Sequence, residues 1–201
     1  LKDLLDLVKK KLSVVSDELR LSLPKRQRSI EAALRVSHGD LGSPEQCLFA
    51  IMSVFAGRIF PEFLAEVAGY KKEDTLMLLK KLRDVRLVSF DGQRHYLHSI
   101  VRRFARDRLE KDFMALEKCQ EKFADVFLGL CGRAREALDK GGNYTKAALN
   151  AALLEEENLV SAQAILLERK RLEDCFRFST VLDDLFERAG SVSYTHLTLP
   201  T

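Results

Sequence analysis

The residues of this sequence that could carry chemistry fall into three groups. Cys47, Cys119, Cys131 and Cys175 stand far apart, with no CxxC pair and no histidine at ligand spacing from any of them. A zinc site draws its ligands from closely spaced pairs, so this arrangement offers no metal site. Cys47, Cys119 and Cys175 lie in helical patterns, where a free cysteine acts as a small apolar residue, and free thiols suit a reducing, cytoplasmic setting. The second group is cationic. Lys71, Lys72, Lys80, Lys81, Arg83 and Arg86 read as a basic stripe around one helix, and residues 80–110 carry nine basic side chains against four acidic ones. Such an excess permits phosphate neutralisation on DNA, or contact with an acidic surface of the same chain. The third is His98, placed just after a β-prone run, where a histidine is ordinarily a surface or core side chain.

Equally informative is what the sequence lacks. It contains no GxxxxGK[ST] and no Gly-rich loop, so nothing in it cradles a triphosphate or positions Mg²⁺. GxSxG and HExxH are missing too, and the many carboxylates sit on amphipathic helices, where solubility accounts for them. The chain by itself is expected not to be an enzyme and to bind no cofactor alone.

The elements that must position these residues are almost all helical. The 201 residues are 46% hydrophobic and 31% charged with a net charge of +3, which excludes a disordered chain, and charges interrupt every apolar run before it reaches membrane-spanning length. Apolar spacing predicts an opening helix through Leu4, Leu5, Val8 and Leu12, a break at Leu23-Pro24, and a short helix through Ile30, Ala33 and Leu34. Ser43-Pro44-Glu45 predicts a capped start, with Ser43 as cap, for a helix that Gly57 stops; Pro61 starts the next, which Gly69 stops. A third runs from about Glu73 to Arg86 with Leu76, Leu79, Leu82 and Val85 inward. Two β-prone runs, 87–90 and 94–98, flank Asp91-Gly92 as a hairpin, and a helix resumes at Ser99 with Ile100, Val101, Phe104, Ala105 and Leu109 apolar and Arg102, Arg103, Arg106 and Arg108 outward. Three helices and a hairpin follow the order of a winged helix-turn-helix. Three long amphipathic segments follow, Phe113 to Leu138, Tyr144 to about Glu168 and Leu172 to Ala189. They suit antiparallel, tetratricopeptide-like stacking, although no clean repeat of roughly 34 residues is present. The expected division is 1–24 as the end of a helical linker, 25–110 as a winged-helix domain, 111–190 as the start of a superhelical arm, and 191–201 as a non-native tail, because SVSYTHLTLPT carries no charge and resembles a translated cloning sequence. Opening on Leu1 inside a periodic pattern, the chain is expected to be a piece of a longer protein.

Three blocks carry a resemblance. Ser29-Ile30-Glu31-Ala32-Ala33, Gln46-Cys47-Leu48-Phe49 and Ser53-Val54-Phe55-Ala56-Gly57 within residues 23–57 form the first. Tyr96-Leu97-His98-Ser99 leading into Ile100-Val101-Arg102-Arg103-Phe104-Ala105 is the second, and Glu156-Glu157-Asn158-Leu159-Val160-Ser161-Ala162 the third. In this order they resemble the STAND class of signalling ATPases, which includes NB-ARC proteins and many bacterial transcriptional regulators. The resemblance implies that His98 matches the motif histidine that approaches the β-phosphate of bound ADP and holds the winged helix shut, with Ser99 where the family has Asp. It further implies an upstream nucleotide-binding domain in the same chain, ADP or ATP in the parent protein, a partner or ligand sensed by the arm, and oligomerisation on activation.

A DNA-binding, winged-helix transcriptional regulator is the alternative. Against it, the third helix spends Leu76, Met77, Leu78 and Leu79 consecutively and has no Asn or Gln to read adenine. Residues 150–190 carry nine acidic side chains against five basic, so the arm could pair with the basic winged helix instead, or both could be solvated faces. The expected function is the regulatory region of a nucleotide-dependent signalling switch.

Overall fold

The computed structural model describes residues 25–189. The expected opening helix, the break at Leu23-Pro24 and the tail 191–201 lie outside the described residues. The chain divides into two units, 1–41 and 42–201. The described part of the first is α1 (Lys25–Gly39), longer than the predicted helix and braced one turn apart by Glu31 and Arg35 at 2.7 Å.

The second unit holds α2 (Ser43–Met52), α3 (Pro61–Ala68), α4 (Lys72–Asp84), β1 (Ser89–Phe90), β2 (His95–Tyr96), α5 (Ser99–Leu109), α6 (Phe113–Lys140), α7 (Gly142–Leu154), α8 (Glu156–Glu168) and α9 (Leu172–Ala189). The described chain is thus mainly helical, with one small two-stranded antiparallel sheet.

In residues 42–110, α2 packs on α4 and α5 and α3 packs on α4, around Leu48, Phe49, Met52, Leu64, Leu79, Leu82 and Phe104. Pro61 opens α3 at its first position and Gly69, at φ 71°, closes it in the left-handed conformation that a Cβ would disfavour. The hairpin pairs Ser89 with Tyr96 and Phe90 with His95. Its turn is held by the Asp91 carboxylate, which accepts from the amides of Gln93 and Arg94, while Gly92 takes φ 103°.

The structure corrects several expectations. The residue capping α2 is Gly42, and Ser43 makes no cap bond. A Cβ at Gly42 would sit 2.6 Å from Glu45 Oε2, so glycine leaves room for the Glu45 carboxylate to fold back on its own amide and meet a free N–H of the first turn. Leu76 and Ile100, expected inward, are exposed. On α4 the buried face runs through Thr75, Leu79 and Leu82, because helical spacing from Leu79 and Leu82 lands on Thr75, whose hydroxyl is satisfied by the Lys71 carbonyl. Arg102, expected outward, is half-buried. The α4 helix ends with Arg86 at φ 59°, a strained choice for a non-glycine residue that lets the Leu87 amide reach the Leu82 carbonyl.

Residues 113–189 form a helical array on α6, a 28-residue helix roughly 42 Å long that touches α7, α8 and α9. Asp112 caps it by accepting from the Ala115 amide at 3.0 Å. The segment predicted as one helix from Tyr144 to Glu168 is two, α7 and α8, broken at Glu155. The core of the array runs through Phe123, Phe127, Leu159, Ala162, Leu166, Phe178, Leu182 and Phe186. Two arginines from the α8–α9 turn pin it to α6: Arg169 pairs with Glu117 and Gln120, and Arg171 with Asp125.

Candidate functional site

His98 ends the hairpin and occupies the N-cap of α5, exposed, with its ring edge-on to Tyr96 at 5.3 Å. Its carbonyl accepts from the Arg102 amide at 2.8 Å, but its side chain makes no cap bond, and the first turn of α5 carries no acidic residue. Ser99 and Ile100 beside it are exposed too. The positive end of this helix therefore carries an imidazole and no capping carboxylate, a surrounding suited to an anion.

His95, three residues earlier, has the opposite setting. Strand pairing buries it, its ring lies 4.7 Å from that of Phe90, and its Nδ1 has no hydrogen-bond partner. Burial, assisted by the nearby Arg83 guanidinium and only partly opposed by Asp91, pushes its pKa down to about 4, so it is neutral at physiological pH.

The six cationic residues do not make a single stripe. At about 100° per residue, Lys80, Lys81 and Arg83 leave α4 in different directions. Lys81 pairs with the buried Glu45 carboxylate at 2.5 Å and holds its pKa below the usual range; Lys72 pairs with Glu62 at 2.6 Å. Arg83 lies over the Phe90 ring at 5.0 Å, and Arg86 is spent on the left-handed turn. Lys71 and Lys80 are exposed. Ion pairs lie within the basic front part, Arg58 with Asp91 and Arg106 with Glu110, and within the acidic arm, Arg135 with Asp184, while Arg102 feels Glu157 and Arg94 feels Glu155 across the two.

Where residues 42–110 meet the array, two different contacts operate. One is aromatic: Phe55 meets Phe123 at 5.0 Å, edge to face, and Phe63 meets Phe127 at 5.4 Å. The other is polar and centres on Asn158, which is 1% exposed. Its Oδ1 accepts from the Gly57 amide at 2.9 Å, and its Nδ2 donates to the Arg58 carbonyl at 2.9 Å and to Glu155 Oε2 at 2.6 Å. Gly57 eases this approach, since a Cβ there would lie 2.8 Å from Glu157 Oε2 and 3.1 Å from Glu157 Cβ and Glu157 would have to give way. Arg94, just before β2, reaches across to the Leu154 carbonyl at 2.7 Å, and Glu157 partly offsets the desolvation of Arg102. The sequence reading placed Asn158 only within a resemblance, took Gly57 as the stop of a helix that in fact ends at Met52, and passed over Glu155. The available signal was an amide among apolar helical positions, since a polar group there needs a partner from outside its own helix.

Cys131 and Cys175 are buried, burial pushes the Cys131 thiol up to about 12, and Cys119 shifts upward as well. Among the described residues, no three His, Cys, Asp or Glu side chains are grouped to hold a metal ion, and no helix is long and apolar enough to cross a membrane. Comparison of the chain with protein-family models, with curated proteins and with solved structures gives no match.

Proposed function

We propose that this chain is the regulatory region of a STAND-type nucleotide switch: a winged helix that holds an ADP-bound closed state, followed by a tetratricopeptide-like arm that senses a partner. The observation that carries the reading is His98, exposed at the N-cap of α5, a helix start with no side-chain cap and no acidic residue in its first turn. Three helices, a hairpin and a fourth helix give that histidine a rigid mount, and the Asn158 clamp ties the mount to the array, so displacement of the array would be felt at the hairpin. In this reading the nucleotide-binding domain lies upstream in the same chain and ADP is its ligand. A partner on the arm shifts the population from closed to open and allows oligomerisation, within the cytoplasm.

The test uses the longer protein that carries the nucleotide-binding domain. His98→Ala should loosen ADP by roughly tenfold, the worth of one charge-assisted contact. Unchanged ADP retention and unchanged basal activity would overturn the reading.

The DNA-binding alternative has less support. Two of the six cations are tied to carboxylates, and α4 offers Leu76 and Met77 to solvent where base-reading side chains would stand. Salt-sensitive binding of duplex DNA by this chain at low ionic strength would revive it.

A further inference from the structure

We infer that the contact between residues 42–110 and the helical array is a proton-operated latch: Glu155 and Asn158 hold the Gly57-Arg58 turn while Glu155 is protonated, and the hold weakens when Glu155 ionises. This goes beyond the nucleotide-switch reading and does not depend on it.

The latch rests on geometry. Glu155 is 2% exposed at the break between α7 and α8, and one of its oxygens, Oε1, has no hydrogen-bond partner. Its other oxygen accepts from Asn158, whose remaining polar atoms are committed to the Gly57 amide and the Arg58 carbonyl. An ionised carboxylate here would be a buried charge with one amide donor, a costly arrangement, whereas a neutral carboxyl is tolerated.

The charged groups around it do little to offset that cost. Arg94, just before β2, favours the ionised form, but its guanidinium is engaged at the Leu154 carbonyl. Arg58, in the turn, is drawn to Asp91 at 2.7 Å and to the Tyr96 ring. Arg102, from α5, feels Glu157, and both Glu156 and Glu157 in the first turn of α8 are of like sign to an ionised Glu155. His95, beside Arg94, is neutral across the range that matters. Burial therefore dominates and pushes Glu155 up to about 7.

In a latch that has opened to water the same carboxyl returns to its ordinary value near 4.5. The open form then binds fewer protons than the closed one from about pH 4.5 to 7. Opening becomes easier as pH rises through that window and levels off above it.

Hydrogen exchange at the Gly57 amide, followed in the whole chain and corrected for the intrinsic rate, reads the latch directly. Protection of this amide should fall on the order of fifty-fold between pH 5 and pH 8. In Glu155→Gln it should change less than about threefold, because no proton is left to lose. Constant protection in the wild-type chain, or an equal fall in Glu155→Gln, would overturn the latch. Carbon-13 titration of the wild-type Glu155 carboxyl needs no variant: a midpoint near neutrality supports the latch, and one near 4.5 sinks it.

Discussion

The two contacts that join residues 42–110 to the helical array do different physical work. The aromatic one sets Phe55 and Phe63 against Phe123 and Phe127, and of these Phe55, Phe123 and Phe127 are fully buried. Its attraction scales with the area withdrawn from water and tolerates small changes of angle. The polar one, at Gly57, Asn158 and Glu155, depends on three directed hydrogen bonds and on a close approach that glycine eases. It adds little net energy when satisfied and costs much when one partner is lost. The aromatic contact thus decides how strongly the two regions hold together, and the polar contact decides in which orientation and at what pH.

The largest effect should come from the aromatic side. Phe127→Ala removes a ring that touches Phe55, Phe63 and Phe123 together, and should lower stability by about 3–5 kcal/mol, measured by urea unfolding. A loss under about 1 kcal/mol would mean that the aromatic contact does not dominate the joint.

Asn158→Ala comes next. It strands the Gly57 amide and the Arg58 carbonyl in a buried place, and should cost about 2–3 kcal/mol. Its signature is local: exchange at the Gly57 amide should accelerate more than exchange at amides in the middle of α6. Uniform acceleration would show that orientation and strength are not separable.

The smallest effect is in pH dependence, where two buried groups oppose each other. Glu155, raised to about 7 from an ordinary 4.5, stabilises fully at acid pH and loses that contribution as pH rises toward 7. His95, lowered to about 4 from 6.5, costs stability as pH falls from 6.5 to 4. Between about pH 4.5 and 6.5 the two slopes nearly cancel. Relative to wild type, His95→Gln should steepen the fall of stability with rising pH, by at most about 1.4 kcal/mol per pH unit. Glu155→Gln should do the reverse, and urea unfolding across pH 4.5 to 7.5 checks both. Parallel curves for the three proteins would show that neither group is linked to folding.

Much of the fold was legible in the sequence because it is local. Pro61 and Gly69 bound α3 as predicted, since a missing donor and a left-handed terminus are properties of single residues. Asp91-Gly92 marked the hairpin for the same kind of reason. Errors gathered where a neighbour decides. The cap of α2 moved to Gly42 because the Glu45 carboxylate needed the space, and Leu76 yielded its inward place to Thr75. The second expected long segment is two helices broken at Glu155, and Asn158 just past the break bonds a turn about a hundred residues away. His98 was named beforehand and its exposure is now seen, whereas Glu155 could not be found from its type, because a glutamate on a helix reads as solvated until its burial is known.

By itself, then, the sequence determined a mainly helical chain, a small hairpin around Asp91-Gly92, and the two ends of α3, whereas α2 ends at Met52 and not at Gly57 as expected. Only the tertiary structure decided which of two histidines three residues apart is buried and which is exposed, and which of many glutamates lies in the dark with an oxygen unpaired. Those assignments depend on desolvation and on partners distant in the chain, and neither is encoded in local spacing.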